Sequence, residues 1–364
     1  LRVTAPNNWK VLAGAFEESA IEIDGFIEHT FSTSDKMSTY LFSFVAGKFR
    51  EDNKNLGALD MRFLYRETNK EKIEESVSQV YNIHQNALDF LEDYTDVKFP
   101  FQKMDFAAIP PFQYGGMEHV GAIQYRQSSL FLDKNATQSQ KLRRAKLIAH
   151  ETSHMWFGDL VTMRWFNDVW MKEVFANFMA DKIVNPLYPE TNHTLSFMMS
   201  HYPSAYSEDR TKGTNAIRQY LGNLKNAGSL YGRIIYNKAP IMMRQLEHLI
   251  GENLFQEGVK EYIETYQNSN ADWNELVTIL DKKSTKDIKS WSDVWVNSSG
   301  RPIFYEDVKY DKKGSISKYI IHQKAEDNSS KIWTQSFKIK LIDKRGNEKV
   351  ISIKNMGKSF DISS

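Results

Sequence analysis

Five consecutive residues, His150-Glu151-Thr152-Ser153-His154, constrain this chain more than any other feature. In an α-helix residues four apart project from the same face, so His150 and His154 present two imidazoles to one point, with Glu151 one step round beside them. Eighteen residues separate His154 from Glu173. Glu173 falls on the next expected helix, and two antiparallel helices joined by a loop would return it to the same place. Two imidazoles and one carboxylate leave the fourth position of a tetrahedral ion open, the arrangement of a catalytic rather than a structural site. One zinc ion suits those ligands, although cobalt or manganese would also be accepted by them. Water on such an ion has a pKa near ~7, and Glu151 stands where it could take the proton, which points to hydrolysis of an amide. The bland alternative is a helix with two satisfied surface histidines. Glu173 at that spacing weighs against it.

The composition narrows the choice of ligands. The 364 residues include no cysteine, which removes disulfides, thiolate metal sites and cysteine nucleophiles together. A metal here needs His, Asp or Glu. Hydrophobic residues make up 41% of the chain, enough for a sizeable core, and the length suggests two or three domains. Lysine plus arginine (47) nearly cancels aspartate plus glutamate (46), so no global field would draw nucleic acid or an anionic membrane. No nucleic-acid partner is expected. The longest apolar runs fall far short of the ~20 residues of a membrane-spanning helix, so no span is expected in this segment. The chain starts at Leu1 without a charged, then apolar, leader. It reads as a fragment lacking its true beginning, which leaves both cytoplasmic and extracytoplasmic locations open.

Residues 1–52 carry short apolar, β-branched stretches at 20–23 and 40–45 between turn-rich segments, and read as strands. A polar break follows at 51–57. Residues 59–65 read as another strand, 71–94 have helical spacing, and strands return at 104–109 and 117–125. From about residue 138 the period becomes helical, with a helix at 140–157 stopping before Gly158 and another at 168–184 starting at an Asn167-Asp168 cap. Further helices are expected at 239–250, 254–266 and 273–281. After Ser298-Ser299-Gly300 strands resume, at 317–322 and 336–342, with a charged turn at 343–348. The fold class is α+β, with a sheet-then-helices lobe flanked by β-rich segments.

Residues 150–176, H-E-T-S-H-M-W-F-G-D-L-V-T-M-R-W-F-N-D-V-W-M-K-E-V-F-A, follow nearly position for position the zinc signature of the aminopeptidase N type of gluzincin metallopeptidases, the family that also contains the leukotriene epoxide hydrolases. Gly115-Gly116-Met117-Glu118-His119 is similar to that family's exopeptidase motif, G-[AG]-M-E-N. Ile235-Tyr236-Asn237-Lys238-Ala239 resembles the segment Y-x-K-G that carries its catalytic tyrosine. Weaker likenesses lie at 37–49, resembling the end of the family's amino-terminal β domain, and at 295–302, resembling the hand-over to its small β-sandwich. The resemblance implies a thermolysin-like catalytic domain at 53–301, between the end of a β domain at 1–52 and a β-sandwich-like domain at 302–364. It also implies that the first part of the β domain and a carboxy-terminal helical domain lie outside the chain.

On this resemblance His150, His154 and Glu173 are zinc ligands, Glu151 is the base, and Tyr236 donates to the oxyanion. Gly115, Gly116, Met117, Glu118 and His119 bind substrate, Glu118 by meeting the free amine of a peptide whose backbone pairs with this glycine-rich edge. Tyr114 stands where the family lines the pocket for the first side chain. Four positions depart from the pattern: His119 for Asn, Lys172 for Asn, Val174 for Gly and Ala239 for Gly. An imidazole at 119 can donate as an amide does, and can also titrate near neutrality. Asn177 shares a helix face with Glu173 and could support the ligands from behind, although an exposed asparagine is the simpler reading, and His29, His84, His193, His201, His248 and His322 have no metal-like spacing. The implied activity is removal of the first residue from peptides with a free amino terminus. A zinc endopeptidase, an epoxide hydrolase, or a catalytically weak peptide-binding relative are the alternatives, and the oligomeric state is open.

Overall fold

A computed structural model describes residues 1–56 and 59–363. Gly57, the last residue of the expected polar break, lies outside the described residues, as do Ala58 and Ser364. The protein is α+β and divides into two compact units. The first comprises Leu1–Arg164, Met171–His193 and Val259–Asp272, and the second Trp165–Trp170, Thr194–Gly258 and Trp273–Ser364. No helix among the described residues is long and apolar enough to cross a membrane.

The first unit opens with β1 (Arg2–Pro6), β2 (Lys10–Ala13), β3 (Glu17–Ile23), β4 (Phe26–Phe31) and β5 (Phe44–Gly47), which form an antiparallel β1-β4-β3 sheet and a β2-β5 pair. The expected strand at 40–45 is displaced: Thr39–Leu41 is a 3-10 turn, and pairing with β2 begins only at Phe44. Then come β6 (Arg50–Leu56), β7 (Leu59–Tyr65), α1 (Lys70–Thr95), β8 (Asp105–Ile109), β9 (Gly116–Met117) and β10 (Ala122–Arg126), with the five strands ordered β6-β7-β8-β10-β9. This is a mixed sheet: β7-β8 and β8-β10 are parallel, β6-β7 and β10-β9 antiparallel. The expected polar break is therefore a strand. An edge strand needs only one partner and tolerates polar side chains on its open side, so its hydrophobic pattern is weak. The expected strand at 117–125 is interrupted, because the His119 amide donates to Met117 O (2.9 Å) and the Ala122 amide to His119 O (3.0 Å), closing a tight turn.

Local chemistry sets the helix ends. In α1 the Asn69 side chain accepts from the Lys72 amide, and Asp96 closes the helix in the left-handed region at φ 60°. After the short α2 (Gln127–Leu130), α3 (Gln138–His154) starts on a reciprocal capping box between Thr137 and Gln140. It ends at His154, three residues before the expected stop. The chain then passes through β11 (Val161–Thr162), which pairs with β12 (Ser269–Asn270), and enters α4 (Val169–Val184). Asn167 and Asp168 lie in a 3-10 turn before α4 and are engaged elsewhere: Asn167 accepts from the Leu221 amide (2.6 Å), and Asp168 takes a two-pronged bond from Arg218 (2.7 and 2.8 Å).

In the second unit α5 (His193–Asp209) was not expected, since Pro203 in its middle breaks the helical signal. Along the chain it is followed by α6 (Ala239–Ile250), by α7 (Glu252–Tyr266), whose residues from Val259 on belong to the first unit, and by α8 (Trp273–Lys283) and α9 (Ile288–Trp295). The chain ends in β13 (Pro302–Tyr310), β14 (Ile316–Ala325), β15 (Gln335–Ile342), β16 (Glu348–Met356) and β17 (Ser359–Asp361), an antiparallel β13-β14-β17 sheet and a β15-β16 hairpin. Tyr319, Ile321, Ile353, Met356 and Ile362 form their shared core.

The centre of the first unit is aromatic. Phe63, Tyr65, Tyr81, Phe106 and Phe131 pack in mutual contact, and the fully buried His84 stacks on Phe106 at 4.2 Å. His84 Nδ1 donates to the Val80 carbonyl (2.9 Å), which can only accept, so Nε2 of the neutral ring accepts from the Tyr125 hydroxyl (3.0 Å). Burial pulls this imidazole down to about 4 from its ordinary 6.5. The unfolded chain therefore takes up a proton first as pH falls. The stability held at neutral pH is lost from about pH 6.5 down through about pH 4, by up to about 3 kcal/mol for this group. Urea denaturation at pH 7 and pH 4 should show that extra loss in the parent and not in His84→Asn.

Candidate metal centre

Helix α3 delivers His150, Glu151 and His154 from its last two turns, and α4 delivers Glu173 and Asn177 from one face. One donor atom each from His150, Glu151 and His154 lies within 4.8 Å of the others. The imidazoles are held from behind. His150 Nδ1 donates to Asn177 Oδ1 (3.1 Å), and His154 Nδ1 donates to the Phe157 carbonyl (3.1 Å). Both Nε2 lone pairs then face each other at 3.1 Å. Two acceptors at that distance repel unless a proton or a metal ion lies between them. Ligand atoms ~2.0–2.1 Å from a tetrahedral ion stand roughly 3.3 Å apart, so the imidazole pair fits such an ion. Glu173 Oε2 lies 3.6 Å from His150 Nε2, while its other oxygen is 3.3 Å from Lys172 Nζ, and it stands outside the tightest triplet. The donor set can hold a metal ion.

The electrostatics divide the groups. Burial raises Glu151 to about 8 against the lowering effect of His150. Glu173 is driven the other way: burial would raise it, but Lys172 and the two histidines outweigh that and keep it charged. Burial works against a charged His150, yet its contact with Glu173 and the neighbouring carboxylates lift it to about 9. Burial pulls His154 down to about 4. Two carboxyls in one region thus carry opposite tendencies, the arrangement that acid–base chemistry uses.

Glu118 follows the edge strand β9 and is 3% exposed. Burial would raise its carboxyl, but the Lys172 ammonium holds it at about 2. Lys172 donates to Glu118 Oε1 and lies with Nζ 5.2 Å from the centre of the Tyr40 ring. Gly116 sits against Glu151 so closely that a Cβ there would overlap the carboxyl group. His119 Nδ1 donates to the Leu41 carbonyl (2.9 Å), and burial lowers its pKa, which moves it away from titration near neutrality. The Gly115 carbonyl accepts from the Arg126 amide (2.8 Å), Met117 pairs with Gln124, and Tyr114 is 54% exposed.

Tyr236 belongs to the second unit, in a single π-helical turn Ile234–Lys238, with its ring stacked on Tyr231 at 6.2 Å. Lys238 of the same motif is buried, donating to Asp209 Oδ1 and to the Gly300 carbonyl, both at 2.9 Å. Its part is to join α5 to the loop before β13.

Three residues differ from what the sequence suggests or carry no local signal. Asn177, expected to be exposed, is half-buried on His150. Lys172 was visible only as a departure from a pattern, and its contact with Glu118, 54 positions away, has no local signal. Asp159 is 5% exposed, with neither carboxylate oxygen hydrogen-bonded among the described residues, and burial pushes its carboxyl well above the usual range.

A profile of the family described as "Peptidase family M1 domain" matches residues 79–295. This chain belongs to peptidase family M1. Among its curated relatives, "Probable aminopeptidase 2" of Sulfurisphaera tokodaii is 33% identical over 78% of the chain and 36% of the relative. "Leucyl aminopeptidase" of Saccharolobus solfataricus is 29% identical over 83% of the chain and 38% of the relative. "Aminopeptidase N" of Lactococcus lactis is 31% identical over 77% of the chain and 33% of the relative. The chain therefore spans about a third of the length of these relatives.

Hydrogen-bond partners behind metal-binding imidazoles typically change affinity by ~10–100-fold. Asn177→Ala should weaken zinc binding by about that factor, read by competition with a chromophoric chelator, while the melting temperature of the metal-free protein changes little.

Proposed function

We propose that this chain carries the catalytic part of a zinc aminopeptidase that releases the first residue from peptides with a free amino terminus. The observation that carries this reading is the proximity of a paired-imidazole donor set to a second buried carboxylate, Glu118, at the end of an open sheet edge. His150, His154 and Glu173 are assigned as zinc ligands. A zinc ion in that place supplies Lewis acidity at neutral pH. The relatives' names support the peptidase assignment, and the domain limits are proposed at 1–52, 53–301 and 302–364.

In the mechanism the peptide extends β9, with its backbone along Gly115, Gly116 and Met117, and its ammonium meets Glu118. Tyr114 and His119 flank the first side chain. Glu151 takes a proton from the attacking water and passes it to the leaving amine. Glu151 rather than Glu173 takes this part because it adjoins His150 on α3 and lies one step off the face of the two imidazoles. Tyr236 is assigned to donate its phenolic hydrogen to the developing oxyanion, an assignment that rests on the likeness of its motif.

Release of leucine from leucine p-nitroanilide should be sensitive to chelator, restored by zinc and absent in Glu151→Gln. Tyr236→Phe should lose ~10²–10³ in turnover with zinc content unchanged, since that is the usual effect of removing an oxyanion donor. Unaltered turnover would take Tyr236 out of the mechanism. An acetylated peptide cut as fast as its free twin would replace the aminopeptidase with an endopeptidase.

A further inference from the structure

A part for Lys172 in selecting substrate rests on the aminopeptidase reading, in which Glu118 receives the peptide's ammonium. That carboxylate already holds an ammonium of the chain itself. Lys172 is 8% exposed, donates to Glu118 Oε1, lies 3.3 Å from Glu173 Oε1, and covers the Tyr40 ring. Two ammonium groups crowded on one buried carboxylate repel where water screens them poorly. A free amino terminus can therefore take full hold of Glu118 only as Lys172 lets go. An ammonium released in a buried place needs another carboxylate.

Asp159 is that carboxylate. It is 5% exposed and neither of its oxygens has a hydrogen-bond partner among the described residues, an expensive state for a buried polar group unless it serves something. The chain places it beside the lysine. Gly158, immediately before it, has φ +133°, and a Cβ there would lie 3.3 Å from both Cβ and Cδ of Lys172, so the lysine stem runs across this glycine. The charge of Lys172 acts on Asp159 as well as on Glu118.

We propose that Lys172 is a two-position ammonium: it closes Glu118 when no peptide is present and passes to Asp159 when the ammonium of a peptide's first residue arrives. Lys172 is then a positioning residue that sets how strongly the site selects a free amino terminus, and Asp159 is its second seat. No bond between heavy atoms is made or broken in the exchange; the proton that burial keeps on the Asp159 carboxyl passes to water as the Lys172 ammonium arrives. One ion pair replaces another.

The test is titration calorimetry on the full chain carrying Glu151→Gln, which binds without turning over, in zinc-loaded and metal-free forms. The probes are L-leucinamide and N-acetyl-L-leucinamide, which lacks the ammonium. Added Lys172→Asn should tighten leucinamide binding roughly tenfold, and added Asp159→Asn should weaken it roughly tenfold. In the Lys172→Asn background Asp159→Asn should have no effect, and none of these changes should alter the affinity for the acetylated probe. A merely structural role would move both probes, or the melting temperature, together. The proposal is overturned if Asp159→Asn acts equally with and without Lys172, or if Lys172→Asn fails to tighten leucinamide. If the Glu151→Gln parent binds both probes alike, the amine-binding role of Glu118 fails first and takes the proposal with it.

Discussion

Glu118, Glu151, His154, Asp159, Lys172 and Glu173 are each less than a tenth exposed, and His150 lies among them in the first unit. Charge buried at this density is tolerable only when it is paired. Four carboxyl groups face one lysine and two imidazoles, so full ionisation would leave the region short of positive charge. The shortfall shows as raised pKa values, Glu151 at about 8 chiefly through burial and His150 at about 9 through the neighbouring carboxylates. A divalent cation between the imidazoles would meet it more completely, since Glu173, which helps to raise His150, would then share the metal with it. The donor set and the charge deficit point to the same occupant.

The helices reinforce that choice. His150, Glu151 and His154 stand at the carboxyl end of α3, where the aligned backbone dipoles leave partial negative charge, which favours a cation. The reciprocal cap at Thr137 and Gln140 sets where α3 starts, and Gly158 at φ +133° turns the chain away four residues after His154. Phe157 then stacks on Phe175 of α4 at 4.8 Å with the rings nearly parallel, pinning the helix that carries Glu173 against the turn that orients His154. The Phe157 carbonyl that accepts from His154 belongs to the same turn. Helix length, turn and ring contact thus fix the placement of His154 and Glu173 together.

How legible each feature is in the sequence depends on the range of its signal. The spacing of His150, His154 and Glu173 is local to two helices, and helical periodicity makes it legible. The α+β order was legible for the same reason, as were helices such as α6 and α8. The edge strand β6 was hidden because polar residues suit an edge, and α5 because Pro203 masks the period. Asn177 falls on the face of Glu173, but nothing local says which side of α4 is covered, so the sequence does not choose between a contact with His150 and solvent. Long-range pairs such as Lys172 with Glu118 and His119 with Leu41 depend on the turn between β9 and β10, which periodicity reads as continuous strand.

The lysine at 172 is the departure that most changes the physical picture. Asparagine there would be neutral, and burial would push the Glu118 carboxyl up toward its protonated form. The lysine supplies a compensating charge from within the fold, which holds Glu118 ionised in a place where burial alone would neutralise it. It also draws on Glu173, so one residue couples the carboxylate beside the imidazoles to the carboxylate at the sheet edge. A change at either carboxylate must therefore be felt at the other through Lys172, and the unpartnered Asp159 is where that coupling has room to relax.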